Sequence, residues 1–120
     1  MNCSNLNIYN NSVLIDDNTD IKVLQYLPIE DKNDLITIAL QNAEENGYYN
    51  LVKLDMYFDL HLVYMYTNLI FNTEDKVDEE KLYDTLKVSG FIDAIKNNIN
   101  EKELIYLQQL LVNTEQKMKD

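Results

Sequence analysis

The chain has 120 residues, of which 46% are hydrophobic and 26% are charged, values typical of one globular domain with one core. Its 21 acidic residues outnumber 10 basic ones, all lysine, and give a formal net charge of −11. Direct binding of nucleic acid is therefore not expected, because phosphate contacts need cations and base reading favours arginine. Cys3 is the only cysteine, which excludes an internal disulfide and favours a reducing compartment such as the cytoplasm.

Residues 5–26 predict a β-hairpin or an extended arm. Apolar residues are grouped or alternate with polar ones at 13–15 and 21–25, as in short half-buried strands. Residues 16–19 are Asp, Asp, Asn and Thr, which favour a turn between the two strands. Alternation at 6–9 allows a third strand. Polar residues follow Met1, and no stretch is apolar enough for a signal peptide or a membrane span, so no membrane contact is expected.

Pro28 marks the predicted start of the first helix. Proline suits the first helical position, and Glu30 and Asp31 then place negative charge near the positive end of the helix dipole. Helical spacing of apolar residues continues from residue 35 to 43. The Asn46-Gly47 pair predicts the C-terminal stop of this helix.

A second, very apolar helix is predicted from Asn50 to Leu69. Its apolar residues cover most of the circumference, which indicates a central, buried helix. Residues 72–75 break the pattern, and the acidic residues 78–80 open a third helix that Ser89 and Gly90 close. A short fourth helix is predicted from Phe91 to about residue 97.

Asn100 predicts the N-cap of the last helix. Glu103 stands at the third helical position, an arrangement close to a capping box. The predicted fold is therefore mainly α, with an N-terminal β-hairpin followed by a compact bundle of four or five helices over residues 28–118. We expect the whole chain, 1–120, to form a single domain.

No residue pattern predicts catalysis or a cofactor. His61 is the only histidine, but Tyr57 and Met65, one turn away on either side, offer neither an orienting carboxylate nor a metal ligand. Asp55 and Asp59 are one turn apart and could share a cation, yet a solvated helix edge explains them better. Cys3 has no nearby histidine or basic residue to activate it.

Two further sequence features do not indicate a ligand site. The acidic stretch 74–80 resembles a calcium loop only in charge, since it lacks the central glycine. Gly47 and Gly90 are the only glycines, so a glycine-rich phosphate loop is absent. We therefore expect a protein that is not an enzyme and needs no cofactor or metal.

Tyrosine is the feature that most favours binding. The chain has nine tyrosines, a residue that suits interfaces because its ring is apolar and its hydroxyl can form hydrogen bonds. Packing in and around the core is the alternative explanation. The candidate interface residues are Tyr26, Tyr48, Tyr49, Tyr57, Tyr64 and Tyr66.

Several segments resemble small proteins encoded among the structural genes of tailed phages that infect Gram-positive or gut bacteria. The resemblance lies in residues 22–32 (KVLQYLPIEDK), in 53–55 (KLD), in 66–69 (YTNL) and in 81–84 (KLYD), and spans roughly residues 20–95. It implies a short strand or hairpin entering a helical domain. It also implies a role in the virion or in its assembly, without catalysis.

Two functions follow as expectations. The first is a non-enzymatic phage virion or assembly protein that is present in several copies and could form a homo-oligomer. It would bind capsid, portal or neck subunits through its hairpin and tyrosine-bearing helical surface, in the virion or the host cytoplasm. The alternative is an acidic intracellular inhibitor, a nucleic-acid mimic or anti-defence protein, that binds a basic host protein. The net charge of −11 is the feature that favours this alternative.

Overall fold

A computed structural model describes residues 12–15 and 20–119 of the chain. It contains an N-terminal two-stranded hairpin followed by five helices of eight residues or more and one short helix. The predicted fold class, mainly α with an N-terminal β-hairpin and a helical bundle, is confirmed. The third strand expected at 6–9, and Cys3, lie outside the described residues.

The N-terminal hairpin consists of β1 (Ser12–Leu14) and β2 (Lys22–Leu24). The strands are antiparallel, and Val13 pairs with Val23. Val23 is completely buried and also forms an isolated antiparallel bridge with Thr67. The side chain of Asn68 binds both the Lys22 amide, at 2.8 Å, and the Asp20 carbonyl, at 2.9 Å. The hairpin is thus held against the helices by its second strand.

Helices α1 (Ile29–Ala43) and α2 (Leu51–Tyr66) form the centre of the fold and pack against each other. Pro28 is the N-cap of α1 rather than its first residue. The side chain of Asn50 caps α2 by accepting a hydrogen bond from the Lys53 amide at 3.1 Å. As its composition indicates, α2 is buried over most of its surface.

Two predictions about the ends of α1 and α2 are wrong. Asn46 and Gly47 do not end a helix; they form the turn of a small hairpin between β3 (Glu44–Glu45) and β4 (Tyr48–Tyr49). Both turn residues have positive φ, 52° and 86°, as a type I′ hairpin turn requires. Helix α2 ends at Tyr66 rather than at residue 69, because Thr67 is extended and pairs with Val23.

The remaining helices are α3 (Thr73–Val77), α4 (Glu79–Val88), α5 (Phe91–Asn98) and α6 (Glu101–Lys119). The short α3 was not predicted, since residues 72–75 carry a pattern typical of a break. Asp78 caps α4, accepting from the Lys81 amide at 3.1 Å. Gly90, with φ of 81°, separates α4 from α5 as predicted.

One apolar cluster joins the hairpin and helices α1, α2, α5 and α6. Its fully buried members include Val23 from β2, Leu35 and Leu40 from α1, Ile95 from α5, and Leu107 from α6. Helix α4 contributes no fully buried residue and lies on α2 and α5 at the edge of the bundle. Among the described residues, no helix is long and apolar enough to cross a membrane.

Candidate functional site

A buried ion pair joins the first turn of α1 to the first turn of α6. The Nζ atom of Lys32 lies 2.6 Å from Oε1 of Glu103, and the two side chains are 4% and 5% exposed. Lys32 is buried because it stands one turn before Leu35 and Ile36, on the apolar face of α1. Glu103 precedes the buried Leu107 by one turn. Each charge is therefore carried into the interior by the apolar face of its own helix.

The second carboxylate oxygen of Glu103 has two hydrogen-bond partners. Oε2 accepts hydrogen bonds from the Leu27 amide and from the Tyr66 hydroxyl, both at 2.8 Å. Burial, together with this carboxylate, raises the pKa of Tyr66 well above its usual range, so the hydroxyl stays protonated and donates. The expected capping box does not form, because Asn100 accepts from the Lys102 amide and Glu103 faces inward.

The ammonium group of Lys32 also contacts two tyrosine rings. It lies 3.9 Å from the ring centroid of Tyr26 and 5.1 Å from that of Tyr106, distances suitable for cation–π attraction. Tyr26 comes from the connection between β2 and α1, and Tyr106 comes from α6. The buried cation therefore holds in place two rings that are each 43% exposed.

These two rings lie at a concave surface between α1 and α6. Tyr26, Lys32 and Tyr106 line a cleft of about 570 Å³, together with Ile29, which is 55% exposed. A second hollow of about 470 Å³ continues it and shares Ile29 and Tyr106. We call the combined surface the α1–α6 groove. The lining residues that we consider candidates for binding are Tyr26, Ile29, Glu30, Asp34, Tyr106 and Leu110.

The structure does not bring the six predicted interface tyrosines together. Tyr26 lies at the α1–α6 groove, while Tyr48, 76% exposed, is at the β3–β4 hairpin beyond the other end of α1. The 15 residues of α1 separate them by about 22 Å along the helix axis. Tyr49 is half-buried against the core. The tyrosines therefore form no single surface.

The three candidates on α2 are mainly internal. Tyr66 is completely buried, so the prediction that it forms part of an interaction surface is wrong. Tyr64 is half-buried; its hydroxyl donates to Glu79 at 2.8 Å, and its ring meets Phe71 edge-on at 5.5 Å. Tyr57 is half-buried against the core as well. Tyr64 and Tyr66 thus connect α2 to segments that follow it.

His61 and Asp59 both make internal contacts. Nδ1 of His61 donates to the Tyr57 carbonyl at 2.8 Å, and its ring meets that of Tyr64 edge-on. Asp59 is 5% exposed, so the predicted solvated edge is wrong for this residue, although Asp55 is exposed. Within the described part of the chain, no cluster of three or more histidine, cysteine or acidic residues could hold a metal.

Lys96 from α5 is the partner of Asp59. Its Nζ lies 2.7 Å from Oδ1 of Asp59, and the Tyr83 hydroxyl lies 3.5 Å from Oδ2. Burial raises the pKa of the Asp59 carboxyl above its usual 3.8, and the attraction of Lys96 opposes this only in part. The contact ties α2 to α4 and α5.

A second concave surface is acidic and lies away from the α1–α6 groove. Asp55 on α2 and Glu80 and Asp84 on α4 line one hollow of about 440 Å³. Val52, 79% exposed, lies in the same hollow. Lys53 also lines this hollow, but its charge is matched by that of Glu45, with which it forms an ion pair. The three carboxylates therefore leave a local excess of negative charge.

No protein-family model, curated protein or solved structure matches the chain.

Three central residues of this site were not predicted as site residues from the sequence: Lys32, Glu103 and Tyr106. Lys32 and Glu103 each occupy a position on an apolar helical stripe, which is the signal of a buried charge and could have indicated a pair. The helix-cap pattern at Asn100 gave Glu103 a local explanation instead. Tyr106 carries the same general signal as the other tyrosines, but its position beside Lys32 depends on how α6 packs on α1.

Proposed function

We propose that this chain is a non-enzymatic virion or assembly protein of a tailed phage, which binds other phage structural proteins through the α1–α6 groove. The observation that carries the proposal is the group of exposed apolar side chains at that groove. Tyr26 and Tyr106 are each 43% exposed and Ile29 is 55% exposed. Large aromatic and aliphatic residues in a concave surface are typical anchors of protein interfaces.

The fixed position of the two rings further supports binding. Lys32 contacts both rings and is itself held by Glu103. A partner would therefore meet side chains that are already ordered, which reduces the entropy lost on association. The internal contacts of His61 and Asp59 favour a binding role over a catalytic one.

The phage part of the proposal rests on the sequence resemblance. Its main segment, residues 22–32, contains Tyr26, Ile29 and Lys32, which line the groove. The residues that carry the resemblance thus also form one wall of the proposed binding surface. Capsid, portal and neck subunits are the partners that the resemblance suggests, with the virion or the host cytoplasm as the location.

Quantitative mass spectrometry of gradient-purified particles, from the phage that carries the gene, tests the proposal. We expect the chain at a fixed copy number relative to the portal or major capsid protein, or else in assembly intermediates. Its presence in infected cells, with none in particles or intermediates, would contradict both forms of the proposed role.

The acidic hollow favours a second function, an intracellular inhibitor that binds a basic host protein. Asp55, Glu80 and Asp84 meet at one surface, and binding through such a surface should weaken steeply with salt. The double variant Asp55→Asn/Asp84→Asn should then lose inhibition. Inhibition of host defence by this variant to the same extent as by the unmodified protein would rule this function out.

A further inference from the structure

We propose that the partner segment in the α1–α6 groove is an amphipathic helix with large apolar residues one turn apart and with lysine or arginine beside them. This inference rests on the proposed function, because it names the chemistry of the partner at the same surface. It is independent of which phage subunit carries the helix.

The shape of the groove fits a helix. Tyr106 and Leu110 lie one turn apart on α6, and Ile29 shares both parts of the groove with Tyr106. From Lys102 to Leu110 the groove extends about 12 Å along α6, or two helical turns. Two apolar side chains at i and i+4 of a partner helix can therefore lie between α1 and α6.

The charges at the groove select a basic partner. Glu30 and Asp34 are exposed and one turn apart on α1, and both line the part of the groove that contains Leu110. Lys102 lies at the other end. Basic residues of a partner near Glu30 and Asp34 would meet opposite charge, which steers association and sets orientation.

The same charges disfavour a second copy of this chain as the occupant. Each copy has a net charge of −11 and would bring its own acidic residues to the acidic side of the groove. Such like-charge contacts oppose association. A helix of opposite charge is therefore the occupant that the groove favours.

Selection from a library of randomised helices, displayed on a small helical-bundle scaffold, tests this chemistry. The scaffold supplies the helical structure that a free peptide of two or three turns lacks in water. We expect the selected helices to combine an apolar pair one turn apart with lysine or arginine. We also expect them to shift the backbone amide NMR signals of Ile29, Glu30 and Tyr106.

Two variants of the chain locate the binding. Ile29→Ser removes an exposed apolar anchor and should lower the affinity for the selected helices about tenfold or more. Its control is Val88→Ser, at a position on α4 that is 88% exposed. Glu30→Gln/Asp34→Asn should lower the affinity for the selected helices at low salt. Glu44→Gln/Glu74→Gln removes the same amount of charge at exposed positions outside both hollows and should leave binding unchanged.

Three results would overturn the inference. The first is a selection that yields acidic helices or no basic ones. The second is a set of selected helices that bind equally well to the groove variants and to their controls. The third is self-association of the unmodified chain, measured by sedimentation, that Ile29→Ser abolishes, since a second copy would then occupy the groove.

The outcomes are separable from those of the particle analysis. A chain found in particles that selects no basic helix keeps the proposed function and loses this inference. A chain that selects such helices yet is absent from particles and intermediates keeps the inference and loses the phage role.

Discussion

Glu103 connects more parts of the fold than any other side chain described above. From α6 it contacts Lys32 on α1, Tyr66 on α2 and the Leu27 amide in the connection that follows β2. A carboxylate at this depth is stable only because both oxygens have partners. Its contacts also fix Lys32, and through Lys32 the two rings of the α1–α6 groove.

Glu103→Gln should destabilise the protein by about 3–5 kcal/mol, because it leaves the Lys32 ammonium buried without its counter-ion. Adding Lys32→Met removes that charge and should recover part of the lost free energy of unfolding. Chemical denaturation of both single variants and of the double variant would measure this recovery. Glu101→Gln, an exposed change in the same helical turn, is the control. Additive losses in the double variant would contradict the predicted coupling.

Asp59 provides a prediction about pH. Its pKa is raised in the folded protein, so the folded state holds this proton more tightly than the unfolded state. The resulting stabilisation is complete below the unfolded pKa and is lost as pH rises through the folded pKa. The free energy of unfolding of the unmodified protein, relative to that of Asp59→Asn, should therefore be greater near pH 4 than near pH 7.

Denaturant titrations of both proteins at a series of pH values would measure this difference. NMR titration of the Asp59 carboxyl carbon would give its pKa directly. A difference that stays constant would show that Lys96 balances burial at this site, and one that grows as pH rises would show that Lys96 outweighs it.

At the scale of elements, the helices with strong end signals were predicted best. Pro28 and Asp78 lie beside the starts of α1 and α4, and Gly90 separates α4 from α5. These signals are local, so they can be read from neighbouring residues. The end of α2 depends instead on pairing between Thr67 and Val23, which are distant in sequence, and no local pattern contains that contact.

The same distinction applies to the candidate site. Tyr26 was identified because tyrosine is in general frequent at interfaces, but its contact with Tyr106 through Lys32 depends on the packing of α6 against α1. Asn46-Gly47 is a different kind of error. A helix stop and a hairpin turn both use residues with positive φ, and the strands it joins have only two residues each, too few to show alternation.

Gly47→Ala tests the conformation of the β3–β4 turn. Gly47 has φ of 86°, and an added Cβ would meet no atom within 4 Å, so any loss comes from the backbone alone. We expect the free energy of unfolding to fall by about 1–2 kcal/mol. Asn46→Gly, at the adjacent position with φ of 52°, introduces a residue that also tolerates positive φ. It should change the free energy of unfolding by less than about 0.5 kcal/mol.

Thermal or chemical denaturation would measure both variants. Equal, small effects from the two substitutions would indicate that the turn does not require glycine at position 47. A large loss from Asn46→Gly alone would instead assign the turn's stability to the asparagine side chain.

The excess of acidic residues acts on the molecule as a whole. A net charge of −11 opposes compaction through repulsion between like charges. Salt screens exposed charges, and the Debye length falls from about 30 Å at 0.01 M to about 8 Å at 0.15 M. The Lys32–Glu103 pair is buried and is screened far less than the exposed acidic residues.

The melting temperature should therefore rise by several degrees between 0.01 M and 0.15 M sodium chloride, which corresponds to roughly 1 kcal/mol for a domain of this size. Asp55→Asn/Asp84→Asn relieves repulsion at the acidic hollow and should melt higher than the unmodified protein at low salt. The two proteins should converge as salt increases, because screening removes the repulsion that the substitutions relieve. A melting temperature that falls with added salt would mean that attraction between exposed opposite charges, rather than repulsion among the acidic residues, dominates the surface electrostatics of this chain.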